Sequence, residues 1–429
     1  MRSTSFAYKL KRAAVLIGAL LIVFLVFKIL VFGHPKGMAE CGDPEATAPK
    51  IKAESALLYS VDLDKVIYSK EPDAIHDPYS ITKLVTAYVA ANTMDPNQTV
   101  TISQRAADDS VDGTSMFLKK GEKVTINELM YGALLVSGND AAYALAEASG
   151  SVDGFIEEMN KTVQKWGCKD THFTNSNGWQ NKNHYTTAND LLIITRHVLE
   201  DETVSKIAFT RKYTMAATNL SGPRKMENHT TLINKKGSGV MGGKTGFWDV
   251  DDCTVTLKYN KDELSAILIL LKDTGKGRVR DTKALLKYAH TATPGYLVAD
   301  TGVNVGKVWV KHGKKTHVKT ELSKAVHAYP KKQSAWRVRV KKHYDKPAAP
   351  LSKGDKVGTY EVYISGTKVA TRDILISEDV PEGMFLSKIY ISDRAGITII
   401  LVILALVLTI ILLRIYNKKK ALERRHYKH

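Results

Sequence analysis

The sequence predicts an α/β (α+β) fold: one domain in which helices accompany an antiparallel sheet, then an all-β domain, with an apolar helix near each end of the chain. Three observations predict it. Residues 50–291 mix helical stripes of apolar residues with short alternating runs. Residues 292–388 contain short alternating runs and no helical period. Two long apolar runs, at 14–33 and 397–413, have about the length of transmembrane helices.

The flanks of the two apolar runs predict the topology. Basic residues occur in residues 1–13, before the first run, and in residues 414–429, after the second. Because basic flanks stay in the cytoplasm, both ends are expected inside and the intervening chain outside. A linker rich in Gly and Pro, residues 34–49, follows the first run. That run is long for a signal peptide, which favours an uncleaved signal anchor, and removal as a signal peptide is the alternative.

The net charge of +18 calls for anionic surroundings. The basic tail is expected to meet membrane lipid. Much of the remaining charge lies in Lys307–Lys346, where acidic residues are scarce. An anionic cell-wall polymer is one expected partner of this stretch, and a solvated basic face without a specific partner is the alternative. Nucleic acid is not expected as a partner of an exported region.

The cysteines and histidines indicate neither a disulfide framework nor a metal site. Three cysteines are present, so at least one thiol is unpaired within the chain. Cys168 and Cys253 are interpreted as small buried apolar residues. No Cys and His cluster has zinc spacing and the HExxH pattern is missing, so no metal and no cofactor are expected.

The elements of the first domain can be placed in order. A hairpin is expected at Ala56–Tyr68, turning at Asp62-Leu63-Asp64-Lys65, and a helix begins beside Ser80, with apolar residues at helical spacing from Ile81. Two helices occupy Ile126–Glu147. The remaining elements are a polar loop at Asn175–Asn183, a helix at Thr186–Leu199, antiparallel strands at Cys253–Tyr259 and Leu264–Leu271, and a helix at Arg280–His290.

The second domain contains only strand patterns. Its expected strands are Lys307–Val310, Trp336–Val340, Thr359–Ile364 and Lys368–Ile376.

The first candidate catalytic motif is Ser80-Ile81-Thr82-Lys83. At a helix start, free N–H groups and the helix dipole favour negative charge on the Ser80 oxygen. Lys83 lies three residues on, so its amine can reach back to that oxygen. A serine hydroxyl needs a neighbouring base, and Lys83 can serve if burial and a nearby cation lower its pKa. Ser80 is the predicted nucleophile and Lys83 its base.

Two later motifs complete a set that is typical of serine acyl transfer in which lysine takes the place of histidine. In Ser137-Gly138-Asn139, the Ser137 hydroxyl can relay a proton to a leaving amine and the Asn139 amide can hold a substrate peptide group. In Lys244-Thr245-Gly246, Lys244 and Thr245 suit a substrate carboxylate.

The oxyanion hole is predicted to consist of the backbone N–H groups of Ser80 and Phe247, because two donors must converge on one point. Chance does not explain the set. A second S-x-x-K string, at Ser365–Lys368, lies between alternating strands and is interpreted as a hairpin turn. Only the string at Ser80 has the helix context and the two later motifs.

At this point the chain resembles the D-alanyl-D-alanine carboxypeptidases, the low-molecular-mass penicillin-binding proteins. The resemblance covers about Lys50–Phe385. It includes Asp109–Asp140, which contains Met116-Phe117-Leu118 and leads to S-G-N-D, then His184-Tyr185-Thr186-Thr187, and in the second domain Asp379-Val380-Pro381-Glu382-Gly383.

The resemblance implies a β-lactamase/DD-peptidase-like fold. Helices would flank a five-stranded antiparallel sheet, with a largely helical insertion between the first and third motifs. The change of sequence pattern at about Thr293 places the expected domain boundaries at 50–291 for the catalytic domain and 292–388 for the β-rich domain. The resemblance also implies removal of the terminal D-alanine from peptidoglycan stem peptides through an acyl-enzyme on Ser80. β-Lactams would acylate the same serine, on the extracytoplasmic side of a bacterial cell membrane.

Three positions depart from the family pattern. Trp248 occupies the place of a small hydroxyl residue, Asp251-Asp252 replaces an Ala-Gly pair, and Tyr79 replaces a small residue before the nucleophile. These departures concern the width of the pocket and not the type of reaction.

Two other functions are considered. A class A-like β-lactamase would share the motifs, but it needs a glutamate-bearing loop, and no ExxLN-like string lies between Ser151 and Asn183. A non-catalytic, membrane-anchored wall scaffold or β-lactam sensor would have a decayed site, whereas every residue of the three motifs is intact.

Overall fold

The structure is a computed structural model that describes residues 39–109, 113–329, 338–389 and 391–426. The expected cytoplasmic N-terminus and the apolar run at 14–33 lie outside the described residues. The chain divides into two compact units. The main segment of the first, called the catalytic unit, is Glu40–Tyr296, and the second, called the β unit, contains Leu297–Ala328 and the described residues from 338 onward.

A five-stranded antiparallel sheet forms the centre of the catalytic unit, as the resemblance implied. In spatial order its strands are Lys65–Lys70, Ser55–Ser60, Leu264–Asp273, Asp252–Lys261 and Val240–Asp249. Both predicted hairpins are confirmed, because Ser55–Ser60 pairs with Lys65–Lys70 and Asp252–Lys261 pairs with Leu264–Asp273. The last strand, Val240–Asp249, lies at the edge and has one side open for a further strand.

The middle strand Leu264–Asp273 shows how the sheet is stabilised on both faces. Ile267, Ile269 and Leu271 pack into the helical side of the core, whereas Leu268 and Leu270 pack into the core on the opposite face. This division follows from the two-residue period of a strand. Each fully buried side chain of this kind contributes about 1.5–3 kcal/mol.

Helices cover both faces of the sheet. Lys83–Thr93 follows a 3₁₀ turn at Tyr79–Thr82, and Gly275–Ala292 follows the last strand. Gly275–Ala292 begins five residues before the predicted Arg280, because the Thr274 hydroxyl accepts from the N–H of Gly277 and caps it. The helices between the first and third motifs are Gln104–Asp108, Ile126–Leu135, Asn139–Ala148, Val152–Trp166, Ala188–Glu200 and Glu202–Ala208.

The helical insertion confirms most of the sequence prediction. The two helices expected within Ile126–Glu147 are present, and the helix expected at Thr186–Leu199 spans Ala188–Glu200. The helix Val152–Trp166 was not predicted from its own pattern. Its ends carry standard signals: Ser151 accepts from the N–H of Gly154, and Gly167 has φ 97°. Short strands complete the unit, Thr99–Thr101 with Lys123–Thr125 and Lys212–Met215 with Arg224–Glu227.

The β unit contains a second five-stranded sheet, which confirms the all-β prediction. Its strands in spatial order are Asn304–Trp309, His317–Leu322, Thr367–Ile376, Lys356–Ile364 and Val338–Tyr344. The strand His317–Leu322 was not predicted. Ser365 and Gly366, in the second S-x-x-K string, have φ 48° and 92° and form the hairpin turn that was expected. The other described strands are Ala39–Cys41, Gly295–Ala299 and Val326–Ala328.

The C-terminal helix Asp393–His426 is the last element of the β unit and follows a 3₁₀ turn at Phe385–Ile389. Its segment Asp393–Ile415 has 23 residues and contains an 18-residue stretch with a mean hydropathy of 3.2, so it is long and apolar enough to cross a membrane. The segment includes the predicted run 397–413. The N–H of Met384 donates to the Asp393 carboxylate at 2.6 Å, so the start of the helix is held against the chain that precedes the 3₁₀ turn.

The three cysteines are free thiols. Cys168 and Cys253 are buried, as predicted, and Cys41 is half-buried. Burial raises the pKa of Cys168 to about 12, so this thiol is not a nucleophile at neutral pH.

A buried ion pair fastens the loop before the second motif. Glu122 is fully buried, and its two oxygens accept from Arg224 at 2.6 and 2.8 Å and from the Thr218 hydroxyl at 2.6 Å. Burial opposes ionisation of Glu122, but the hydrogen bonds from Arg224 and Thr218 outweigh it and lower its pKa.

Replacing Arg224 by alanine is expected to destabilise the catalytic unit by about 3–5 kcal/mol, because Glu122 would remain buried without its cation. The measurement is the midpoint temperature of thermal unfolding of the full chain, followed by circular dichroism. Lys161→Ala is the control, since Lys161 and Glu157 form a mostly exposed pair, and it should leave that temperature unchanged. Equal temperatures for both variants would contradict the role given to Arg224.

Candidate active site

Ser80 lies in the 3₁₀ turn Tyr79–Thr82 that runs directly into the helix Lys83–Thr93. Ser80 is the second residue of this turn, so its N–H is one of the donors that a helix start leaves without an intrahelical acceptor. Tyr79 has φ 47°, a left-handed conformation that is uncommon for a bulky residue. Its hydroxyl donates to Asp252 at 2.8 Å, which holds this backbone in place.

Lys83 is fully buried, and its amine contacts three different segments. Nζ lies 2.9 Å from Ser80 Oγ, 2.8 Å from Asn139 Oδ1 and 2.6 Å from the carbonyl oxygen of Asn177. Burial, followed by the charge of Lys244, lowers the pKa of Lys83 well below its ordinary value. A neutral amine has two hydrogens and one lone pair. Asn139 and Asn177 can accept both hydrogens, which leaves the lone pair directed at the Ser80 hydroxyl.

Ser137 lies between the helices Ile126–Leu135 and Asn139–Ala148, where the predicted break occurs. Its φ of 63° is in the left-handed region. The carbonyl of Ser137 accepts from the Thr114 hydroxyl at 2.7 Å, and the N–H of Asn139 donates to the Thr114 carbonyl at 2.8 Å. This double contact directs the Ser137 side chain into the cleft.

Asp140 supports the same turn from beneath. It is fully buried, and its carboxylate accepts from the Ser115 hydroxyl at 2.6 Å and from the N–H groups of Met116 and Leu118 at 3.1 and 3.0 Å. A Cβ on Gly138 would lie 2.7 Å from the Asp140 carboxylate, so glycine is required there by close approach. The fourth residue of the S-G-N-D string is therefore structural.

Lys244 lies on the edge strand Val240–Asp249 and is almost fully buried. Its amine donates to Ser137 Oγ at 2.8 Å and to the Thr245 carbonyl at 2.9 Å. Burial, with a smaller contribution from the charge of Arg278, lowers the pKa of Lys244 to about 7. Gly246 faces Tyr79 and Thr254 so closely that a Cβ would lie 2.2 Å from the Thr254 hydroxyl.

Phe247 lies on the edge strand and lines the cleft. The carbonyls of Gly243 and Thr245 accept from the side chains of Thr230 and Lys244. The backbone N–H and C=O groups of successive strand residues alternate in direction, so those of Phe247 point to the same side as those of Gly243 and Thr245. The two N–H groups predicted for the oxyanion hole, of Ser80 and Phe247, thus lie on elements that border one cleft.

The predicted site residues lie around a single cleft of about 270 Å³. Ser80, Ser137, Asn139, Thr245 and Phe247 line it. Lys83 and Lys244 lie directly behind Ser80 and Ser137, within hydrogen-bonding distance. The predicted residues that a substrate would touch are therefore brought together.

Sequence reasoning missed several lining residues of the cleft, among them Asn177 and Arg278. Asn177 lines it and accepts from Lys83 through its backbone carbonyl, a contact for which no sequence signal exists. Arg278 also lines it, and its guanidinium donates to the carbonyl of Gly246 at 2.9 Å. Among the described residues, the buried Nε of Arg278 has no hydrogen-bond partner. The predicted start of its helix at Arg280 left Arg278 outside any element.

The three departures noted in the sequence form one cluster beside the cleft. The rings of Tyr79 and Trp248 stack with centroids 6.1 Å apart, and the Tyr79 hydroxyl binds Asp252. Trp179 packs edge-on against Trp248. Tyr79, Trp248 and Trp179 therefore form an aromatic wall next to Ser80, and Asp252 holds Tyr79 in it.

Among the described residues, no group of three or more His, Cys, Asp or Glu side chains could hold a metal ion.

Two family models match the chain. The model for D-alanyl-D-alanine carboxypeptidases matches residues 43–275, and the model for the C-terminal domain of penicillin-binding protein 5 matches residues 296–382.

Curated relatives match over most of their length. The D-alanyl-D-alanine carboxypeptidase DacF of Bacillus subtilis is 29% identical over 378 residues, which cover 86% of this chain and 96% of the relative. The D-alanyl-D-alanine carboxypeptidase DacA of Haemophilus influenzae is 30% identical over 358 residues, which cover 80% of this chain and 89% of the relative.

Solved structures are also similar. Penicillin-binding protein 5 from Haemophilus influenzae has a TM-score of 0.54 and 29% identity, covering 79% of this chain and 100% of that one. The Streptomyces K15 DD-transpeptidase has a TM-score of 0.53 and 27% identity, covering 57% of this chain and 99% of that one.

The match thus extends through both units, and the three catalytic motifs lie within the first family match. The chain belongs to the D-alanyl-D-alanine carboxypeptidase family: it is a serine-type peptidase that removes the terminal D-alanine from peptidoglycan stem peptides and binds penicillin.

Proposed function

We propose that Ser80 is the nucleophile of this carboxypeptidase and that Lys83 is its general base. One observation carries the proposal: the buried Lys83 amine has two oxygen acceptors besides Ser80 Oγ, at 2.8 and 2.6 Å. These acceptors can occupy both hydrogens of a neutral amine and orient its lone pair. The lowered pKa of Lys83 supports the neutral form at neutral pH.

Acylation begins when Ser80 Oγ attacks the carbonyl carbon between the last two D-alanines, and its proton passes to Lys83. The carbonyl oxygen becomes an oxyanion that accepts from the N–H groups of Ser80 and Phe247. A donor in such a position is worth about 3 kcal/mol of barrier.

Ser137 completes the first half of the reaction. Its hydroxyl gives a proton to the leaving nitrogen, and the Lys244 ammonium, 2.8 Å from Ser137 Oγ, replaces that proton. The C–N bond breaks and free D-alanine leaves. The proton that Lys83 took from Ser80 then passes through the emptied cleft to Lys244, so Lys83 is again a neutral amine and Lys244 is again an ammonium. Water then attacks the ester carbon, one of its protons passes to Lys83, and the proton returns to Ser80 as the ester bond breaks.

The substrate is held at both ends of the scissile bond. Its terminal carboxylate meets Lys244, the Thr245 hydroxyl and the Arg278 guanidinium. Asn139 uses its Oδ1 for Lys83, so its NH₂ group is the part that can donate to a substrate carbonyl. Gly246 permits the close approach of the edge strand to Tyr79, and that strand can pair with the extended stem peptide.

The two alternative functions have less support. A β-lactamase needs a carboxylate to activate the deacylating water, and no acid is among the described residues that line the cleft. A scaffold with a decayed site does not require the contacts of Lys83 and Lys244, both of which are formed.

We also propose that the protein is anchored in the bacterial cell membrane with the catalytic unit on the extracytoplasmic side. The C-terminal helix has the length and hydropathy of a transmembrane span, and basic residues 418–420 follow it. The run at 14–33 would be a second anchor, with residues 1–13 and 414–429 in the cytoplasm in contact with anionic lipid. Exposed basic residues on the strand Val338–Tyr344 support contact with an anionic cell-wall polymer.

Ser80→Ala is expected to lower D-alanine release from a D-Ala-D-Ala peptide by at least about 10⁴-fold and to abolish fluorescent penicillin labelling, because the acyl-enzyme cannot form. Ser365→Ala, in the second S-x-x-K string, is the matched control and should retain both D-alanine release and penicillin labelling.

Lys83→Arg should slow acylation by about 10²–10⁴-fold, since arginine stays protonated. Unchanged acylation in Lys83→Arg would remove Lys83 from the mechanism.

The pH profile of kcat/KM is expected to be bell-shaped. Activity requires a neutral Lys83, which is lost as pH falls, and a protonated Lys244, which is lost as pH rises through about 7 in the free enzyme. Lys244→Arg keeps the positive charge at high pH, so the alkaline limb should move upward by more than about one pH unit. An alkaline limb at the same pH in both proteins would show that another group is responsible.

The topology is checked by adding protease to spheroplasts that contain a chain tagged after His429. The catalytic unit should be digested and the tag protected, and the reverse pattern would contradict the proposed sidedness.

Ending the chain at Ala395 should leave it in the membrane fraction if 14–33 is an uncleaved anchor. Release of that shortened chain would show that the first run is removed.

A further inference from the structure

The catalytic unit contains a second cleft, which is larger than the active-site cleft and shares no lining residue with it. It has a volume of about 420 Å³. The loop 232–238 forms one side, the strand Asp252–Lys261 contributes Tyr259 and Lys261, and the second half of the helix Gly275–Ala292 forms the other side. We call it the basic cleft.

Lysine dominates the lining of the basic cleft. None of its lining residues is an acid. No ion-pair partner for any of its lysines occurs among the described parts of the chain. The nearest carboxylates in sequence, Asp262 and Glu263, lie in the turn after Lys261 and do not line the cleft. The five exposed lysines of the lining are Lys235, Lys236, Lys261, Lys283 and Lys287.

The frame behind these lysines is fixed. Tyr259 is buried, and its hydroxyl lies 2.7 Å from His290 Nε2, which joins the strand to the helix. Backbone contacts from Lys235 to Leu232 at 3.0 Å and from Ser238 to Lys235 at 3.1 Å close two successive turns of the loop. The ammonium groups are therefore carried by elements with defined positions.

The arrangement has an energetic cost in the absence of an anion. Lys283 and Lys287 are four residues apart on one helix, a spacing at which like charges destabilise the helix. Three further lysines face them across the same concave surface, where fields of one sign reinforce each other. A single small anion can neutralise only one or two of the five charges. A chain with repeated negative charges can neutralise all of them and release their counterions.

The lining also indicates which kind of polyanion fits. Single-stranded nucleic acid is bound with exposed aromatic side chains that stack on bases, whereas Tyr259 is only 3% exposed. Membrane-surface sites combine basic residues with exposed apolar ones, whereas Leu286 in this lining is buried. The charged lining residues are lysines and not arginines, so they act as point charges that accept phosphates at many spacings.

We propose that the basic cleft binds an anionic phosphodiester polymer of the bacterial envelope, with one repeat after another seated against Lys235, Lys236, Lys261, Lys283 and Lys287. This site is separate from the strand Val338–Tyr344 in the β unit. It goes beyond the proposed function and rests on it in one respect, the extracytoplasmic position of the catalytic unit. Binding there would hold the peptidase beside the wall without occupying the cleft that contains Ser80.

The test uses the full chain in phosphatidylcholine nanodiscs and poly(glycerol phosphate) as the probe. The cleft variant is K235Q/K236Q/K283Q/K287Q. The matched control is K65Q/K120Q/K165Q/K169Q, which removes the same charge from exposed positions of the same unit. We expect the Kd of the cleft variant to rise at least about tenfold and that of the control by less than about twofold. The dependence of log Kd on log salt should also become less steep in the cleft variant only.

Further measurements separate the alternatives. D-alanine release from a soluble peptide should be unchanged in both variants, which shows that they are folded and keeps this test independent of the catalytic proposal. Equal losses of polymer binding in the two variants would overturn the proposal in favour of net charge alone. If inorganic phosphate displaces the polymer at the same total concentration of phosphate groups, the cleft is a small-anion site. Preference for phosphatidylglycerol vesicles over the polymer would indicate a lipid surface, and either result would overturn it.

Discussion

The structure of the active site depends on one buried amine, that of Lys83, whose pKa is lowered by burial. Lys83 lies in the core between the central sheet and the helical insertion, and it contacts oxygens of Ser80, Asn139 and Asn177. A buried ammonium would be costly, whereas a buried neutral amine needs only its hydrogen bonds satisfied. The three contacts come from segments up to 94 residues from Lys83, so they join the nucleophile turn, the second motif and the polar loop into one unit.

Lys244 is a second buried amine, and in the proposed mechanism it takes part in substrate binding. Lys244 is also buried, and its pKa of about 7 leaves its charge only marginally stable before substrate arrives. A substrate carboxylate beside it would favour the ammonium form by its opposite charge. Burial and that charge keep the pKa of Lys83 low, so in the proposed mechanism the group that binds the end of the stem peptide also helps to keep the base neutral. Substrate recognition and proton transfer would then be coupled through two amines.

Two residues with a strained backbone lie at the same place. Tyr79 and Ser137 both have positive φ, and both adjoin groups that we propose to act on the substrate. Each strained residue is restrained by a neighbouring acid: the Tyr79 hydroxyl binds Asp252, and Asp140 fastens the loop that packs on Ser137. Such conformations persist only where surrounding contacts determine them. The aromatic wall of Tyr79, Trp248 and Trp179 belongs to the same set of restraints.

The amino-acid sequence by itself determined the local features: the spacing of Ser80 and Lys83, the helix break at Ser137, the hairpin turns and the apolar C-terminal run, because each depends on neighbours in the chain. The helix Val152–Trp166 and the strand His317–Leu322 escaped prediction although their signals are local. Tertiary structure alone decided the second set of features. Asn177 reaches Lys83 through a backbone carbonyl, Arg278 borders the substrate cleft, and five dispersed lysines line another, because folding brings distant segments together and no spacing in the sequence records that proximity.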